Sequence, residues 1–238
     1  MTALLGIDCA TDPRKTGHAL GELRSGVVHI IRCATGTKKE SPAMIAANWL
    51  QQYDEALIAL DAPLGWPRAL GNQLSNHKAG RVIKIEANQL FRRVTDVEIK
   101  NRLGKQPLDV GSNLIARTAF AALTLLDQIR QSTGRPIPLA WTPEEKERWR
   151  AIEVYPAATR IAHGASDVGG SLAGLGELLD CSAVSSIMKK SKDAVDAAVC
   201  AIAAADFLLG RAIAPLENET VQVEGWIWAV ERRKGPNL

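Results

Sequence analysis

ALLGIDCATDPRKTGHALGELRSGVVHIIRCA, residues 3–34, holds three apolar runs in quick succession. The first, ALLGID, reads as a buried strand that ends in an acid. TGHALGEL and GVVHIIRCA follow, separated only by Arg24, Ser25 and Gly26. That gap suits a tight hairpin, so the spacing predicts three strands in an antiparallel meander.

The next apolar run arrives differently. AMIAANWLQQY (43–53) carries Met44, Ile45, Trp49, Leu50 and Tyr53 at helical spacing, with Pro42 near its start. EALIALD (55–61) then reads as a strand reached through a crossover helix. GSNLIARTAFAALTLLDQIRQSTG (111–134) is an amphipathic helix closed by Gly134. RAIEVYPAA (150–158) is a strand with Glu153 inside it and Pro156 ending it. SKDAVDAAVCAIAAADFLLG (191–210) is an alanine-rich helix, and ETVQVEGWIWAV (219–230) alternates like a last strand. The tail ERRKGPNL (231–238) reads as frayed.

This order predicts an α/β fold: three antiparallel strands, then parallel strands, with helices on both faces of one mixed sheet. Residues 62–111 are the least regular part, and read as an insertion after strand four with short helices and a mobile or substrate-facing segment. The whole of 1–238 reads as a single domain carrying that insertion.

Bulk properties narrow the class. The chain has 238 residues, a formal net charge of +3 and a pI near 8.7, mildly basic and compatible with a phosphate-bearing partner. No apolar run is long enough for a membrane span, and MTALLGIDCA lacks the features of a signal peptide. Cys9, Cys33, Cys181 and Cys200 are scattered without a C-x-x-C pair. They read as reduced thiols in a cytoplasmic protein, not as a zinc site.

The acids carry the functional reading. Asp8 ends strand one and Asp61 ends strand four, while Asp193 and Asp196 sit three apart in the first turn of the alanine-rich helix. Each has an ordinary explanation. Acids favour helix starts, and Asp61 before Ala-Pro suits a turn. Yet Asp193, Asp196, Ala197, Cys200 and Ala204 form one small-residue stripe, which lets that helix approach a sheet closely. Converging there, the four carboxylates would repel one another unless divalent cations neutralised them.

GIDCA (6–10), ALDAPLGWP (59–67), FRRVTD (91–96), IEVYPAA (152–158), KDAVDAA (192–198) and VEGWIW (223–228) occur in this order and spacing. Together they resemble the DUF429 family of predicted RNase H-like nucleases. The D-x-x-D-A helix is similar to that of the Holliday-junction resolvase branch. The resemblance implies an RNase H-like fold, a divalent-metal site and phosphodiester cleavage. By position it implies that Asp8, Asp61, Asp193 and Asp196 are metal ligands. Glu153 matches a family motif without a clear equivalent in the general nuclease set. The resolvase branch usually has Glu where this chain has Asp61, one methylene shorter.

The expectation is therefore a metal-dependent nuclease acting on DNA or RNA with two Mg²⁺ or Mn²⁺ ions, ~3.5–4 Å apart. Asp8 is the expected bridging ligand. Glu153 would add a ligand or orient water, or else pair with Arg150 or Arg160. Arg92 and Arg93 would grip phosphate oxygens, or else form ordinary helix pairs such as Arg92–Asp96. Trp66, just after Asp61, would stack a base, whereas Trp49, Trp226 and Trp228 read as core. His18 and His29 read as structural or exposed residues of outer strands, and Ser191 as a helix cap. A homodimer stays open. Two alternatives remain: a non-catalytic nucleic-acid or protein-binding module with a relic metal site, and a phosphotransferase of related fold.

Overall fold

The computed structural model describes residues 1–215 and 219–232. Its centre is a six-stranded mixed sheet in the order β5-β4-β1-β2-β3-β6. β1 (Thr2–Asp8), β2 (Gly17–Arg24) and β3 (Val27–Thr35) form the expected antiparallel meander. Ser25 at φ 49° and Gly26 at φ 83° make the two-residue turn between β2 and β3. Two left-handed residues in succession match the twist of the strands they join.

α1 (Pro42–Leu50) starts at Ser41, whose side chain accepts from the Met44 amide. It crosses over so that β4 (Glu55–Asp61) lies parallel to β1, with Asp8 directly opposite Asp61. The stretch 62–111 holds three short helices: α2 (Arg68–Leu74), α3 (Ala87–Phe91) and α4 (Val94–Leu103). α5 (Asn113–Thr133) ends at Gly134, φ 64°, as expected. β5 (Trp149–Glu153) then pairs parallel with β4. The chain continues through α6 (Pro156–Ala162), β6 (Leu179–Asp180), α7 (Ser185–Met188), α8 (Lys192–Leu208) and α9 (Glu219–Glu224). Of the tail expected to fray, residues 233–238 lie outside the described residues.

Strand alternation divides the core between the two sheet faces. Leu4, Ala19, Leu57, Ala59 and Ile152 face α8, while Leu5, Ile7, Leu20, Ile58 and Leu60 face α1 and α5. α8 lies unusually near the sheet. A methyl group at Gly6 would stand 1.9 Å from the Ala197 carbonyl oxygen, and one at Gly17 only 2.1 Å from that of Asp193. A side chain at either place would push the helix off, so these glycines set the depth at which α8 docks.

Two elements differ from the sequence reading. β6 was not anticipated. Only two residues of the glycine-rich stretch pair with β3, too few to show a period. The expected last strand is instead α9 followed by two isolated bridges, Ile227 to Glu153 of β5 and Val230 to Ala212. The Glu224 carboxylate explains the change: it is buried and accepts from the amides of Arg68 (2.8 Å) and Val94 (2.8 Å). Gly225, φ 83°, then turns the chain. The following WIWAV does alternate. Trp226 and Trp228 enter the α8-side core, and Trp228 meets Phe207 edge-on at 4.6 Å. His18 is not in an outer strand. It is buried in β2, with Nε2 3.1 Å from the Pro42 carbonyl, and burial lowers its pKa to about 4.

Candidate functional site

The register of β1 and β4 makes the first half of the site. Asp8 and Asp61 are neighbours at the carboxyl ends of parallel strands. They share strand parity with Gly6 and Ala59, so both leave the sheet on the α8 side. α8 supplies the second half. Ser191 caps it by accepting from the Ala194 amide at 3.1 Å, which puts Asp193 and Asp196 in its first turns. Because Gly6 and Gly17 admit the helix backbone, these turns lie over the ends of β1 and β2.

The electrostatics record this convergence. Burial first, then the charges of Asp61, Asp196 and Asp193, push the Asp8 carboxyl up to about 9, against a small opposing effect of Lys192. Burial, then Asp196 and Glu153, push Asp61 up to about 7, with Arg160 opposing. Burial and Asp196 raise Asp193 as well. Asp8 therefore feels three carboxylates, one of them 188 positions away in sequence. Among the described residues, no three acidic, histidine or cysteine side chains stand as a preformed metal cage. Asp196 is instead tethered away from the strand acids. Its Oδ1 accepts from the Arg160 guanidinium and from the Gly170 amide at 2.8 Å.

Beside the acids opens a cleft of about 290 Å³, lined by Asp61, Glu153, Arg93, Tyr155 and Thr118 among others. Cys9 borders it too. Burial, Asp61 and Asp8 raise its thiol well above the ordinary range, so it is a poor nucleophile at neutral pH.

Glu153 stands opposite Leu60, one step out of phase with Asp61, and leaves the sheet on the other side. Neither Arg150 nor Arg160 is its partner. Oε1 and Oε2 accept from the two Arg93 amino groups at 2.7 and 2.8 Å, and Oε2 also accepts from the Leu64 amide at 2.9 Å. Arg93 is 1% exposed. It makes five hydrogen bonds, one for each N–H, to Asp96, Glu153 and the Glu224 carbonyl. This leaves no donor for the phosphate that the sequence reading assigned to it. Arg93 instead ties the insertion to β5. Arg92 pairs loosely with Asp109 at 3.3 Å and is about a third exposed. Trp66 is half-buried in the turn leading to α2 and does not line the cleft.

A family model described as "Protein of unknown function (DUF429)" matches residues 6–220. The chain belongs to the DUF429 family. The match runs from Gly6, where α8 docks, to the second residue of α9, and so takes in all four aspartates, Arg93, Glu153 and Arg160. No curated protein matches this DUF429 chain. Its mixed sheet is consistent with an RNase H-like fold. Among its described residues no helix is long and apolar enough to cross a membrane.

Sequence reasoning passed over Gly6, Gly17 and Arg160 as site residues. The glycines did leave a signal, since a glycine within a strand marks close backbone approach. Arg160 left none, because its partner Asp196 is 36 residues away.

Proposed function

We propose that this DUF429 protein hydrolyses phosphodiester bonds of nucleic acid with the help of divalent cations. One observation supports the reading: strand register sets Asp8 beside Asp61 at the carboxyl ends of β1 and β4, and the first turn of α8, which carries Asp193 and Asp196, packs over the adjoining strands. The donor set fits a hard cation. It is all carboxylate oxygen, and without a counter-charge burial and crowding hold the Asp8 carboxyl near 9. Asp8, Asp61, Asp193 and Asp196 would hold Mg²⁺ or Mn²⁺. Such ions, when bound, activate water and stabilise the leaving oxygen of an in-line displacement.

The protein's own groups do the rest. Asp8 stands beside Asp61 and feels both helix acids, so it would be a ligand shared by the site. The cleft beside Asp61 limits water and receives the substrate backbone. Arg92, about a third exposed and loosely paired with Asp109, would turn to a phosphate oxygen of the substrate. Glu153 does not act on the reacting atoms; held by Arg93 and Leu64, it stiffens the wall next to Asp61.

The test is incubation with labelled single-stranded, duplex, hybrid and branched DNA and RNA in Mg²⁺ and in Mn²⁺. Cleavage should require the metal and vanish in Asp8→Asn and Asp196→Asn. Cleavage that survives both substitutions defeats the reading. Divalent binding without cleavage of any substrate would favour the binding-module alternative.

A further inference from the structure

The acid site contains one buried cation of its own. Arg160, on α6, is 1% exposed, and its guanidinium reaches two places. Nε donates to the Ser171 carbonyl at 3.1 Å, and Nη2 donates to Asp196 Oδ1. The same Oδ1 accepts from the Gly170 amide. Among the described residues, no hydrogen bond falls on Asp196 Oδ2. It lies instead beside Gly169, where a methyl group would stand 3.2 Å from it. The two oxygens of one carboxylate are thus treated unequally. One is saturated by a fork and an amide, and the other is left with open acceptor capacity.

We propose that Arg160 is a positioning residue for the candidate metal centre: it locks Asp196 through Oδ1, so that Oδ2 alone is presented as a cation ligand. The proposal rests on the metal-site reading above. Without Arg160 only the Gly170 amide holds Oδ1, and Asp196 can turn about its terminal bond and trade its oxygens. Arg160 also fastens the loop that carries Gly170, so guanidinium and amide act as one latch. A point charge could not replace it. An ammonium at this position lacks the planar fork needed to span Ser171 O and Asp196 Oδ1 together.

Positioning and charge balance make opposite predictions, and Arg160→Gln and Arg160→Lys separate them. Mn²⁺ is titrated calorimetrically into metal-stripped wild type and each variant, with melting curves recorded in chelator. Loss of an outer partner typically costs 10–100-fold in metal affinity. Arg160→Gln is therefore expected to bind Mn²⁺ about 10–100-fold more weakly than wild type. Arg160→Lys should also be weaker, despite keeping the charge. The resonance spectrum of bound Mn²⁺ at saturation should change in both. If Arg160 merely balances charge, Arg160→Gln binds more tightly and Arg160→Lys equals wild type, which overturns the proposal. Reduced melting temperature with unaltered Mn²⁺ affinity and spectrum overturns it too. Should Arg160→Gln not fold, Arg160→Lys carries the test by the same criteria. Wild type that binds no Mn²⁺ instead removes the metal site itself, a different result from a site that ignores Arg160.

Discussion

Asp61→Asn should make this protein more stable while removing the proposed function. Asp61 is held among like charges, and among the described residues no hydrogen bond to its side chain is lost by the change. Its pKa rises from an ordinary 3.8 to about 7, through burial first and then Asp196 and Glu153. A folded-state pKa above the unfolded one means that the native state holds the proton more tightly. Stability from this group is full below about pH 4 and is lost as pH climbs to about 7. That span is roughly three pH units, and at about 1.4 kcal/mol each the ceiling is about 4 kcal/mol. Water entry and relaxation of neighbouring carboxylates reduce it, so about 2 kcal/mol is expected. For a chain of this size that is a rise in melting temperature of about 4–8 °C. The assay is thermal unfolding of metal-free wild type and variant from pH 4.5 to 8.5. Wild type should lose stability across the range, and Asp61→Asn should lose less, with the largest gap at the alkaline end. Adding Mg²⁺ at pH 8 should raise the wild-type midpoint and leave the variant nearly unmoved. Equal midpoints at pH 8, with parallel pH profiles, would refute the claim that these carboxylates share one poorly solvated site.

Other consequences concern how the site is held. Gly6→Ala puts a methyl group against the Ala197 carbonyl, and should cost about 1–3 kcal/mol in urea unfolding, along with Mn²⁺ affinity, as α8 is displaced. Arg93→Met strands Asp96 and Glu153 as buried charges, and should destabilise by about 3–5 kcal/mol. Limited proteolysis should then cut first within 62–111. Ser191→Ala removes the α8 cap and should cost about 1 kcal/mol by the same unfolding assay, with cation affinity retained.

Much of the fold was legible because it rests on short-range patterns. The Arg24–Gly26 gap, the helical spacing of 43–53 and the glycine at 134 each declare a local structure, and the elements form where these signals stand. The two misreadings lie where tertiary partners outweigh local preference. ETVQVE alternates like a strand, yet it coils so that Glu224 can satisfy two buried amides. Leu179–Asp180 pairs only because the β3 edge is available to it.

The candidate site divides in the same way. Sequence alone determined which acids end strands and which begin α8, because an acid that closes an apolar run is visible in one dimension. Only the tertiary structure decided what each charged group faces. It set Asp8 against Asp61 through strand register, sank α8 onto Gly6 and Gly17, and gave Arg93 to Glu153 and Arg160 to Asp196. The reason is physical. The path of a backbone is written largely by neighbours in the chain, whereas the ionisation and partners of a side chain depend on distance and solvent exclusion, which neither spacing nor composition contains.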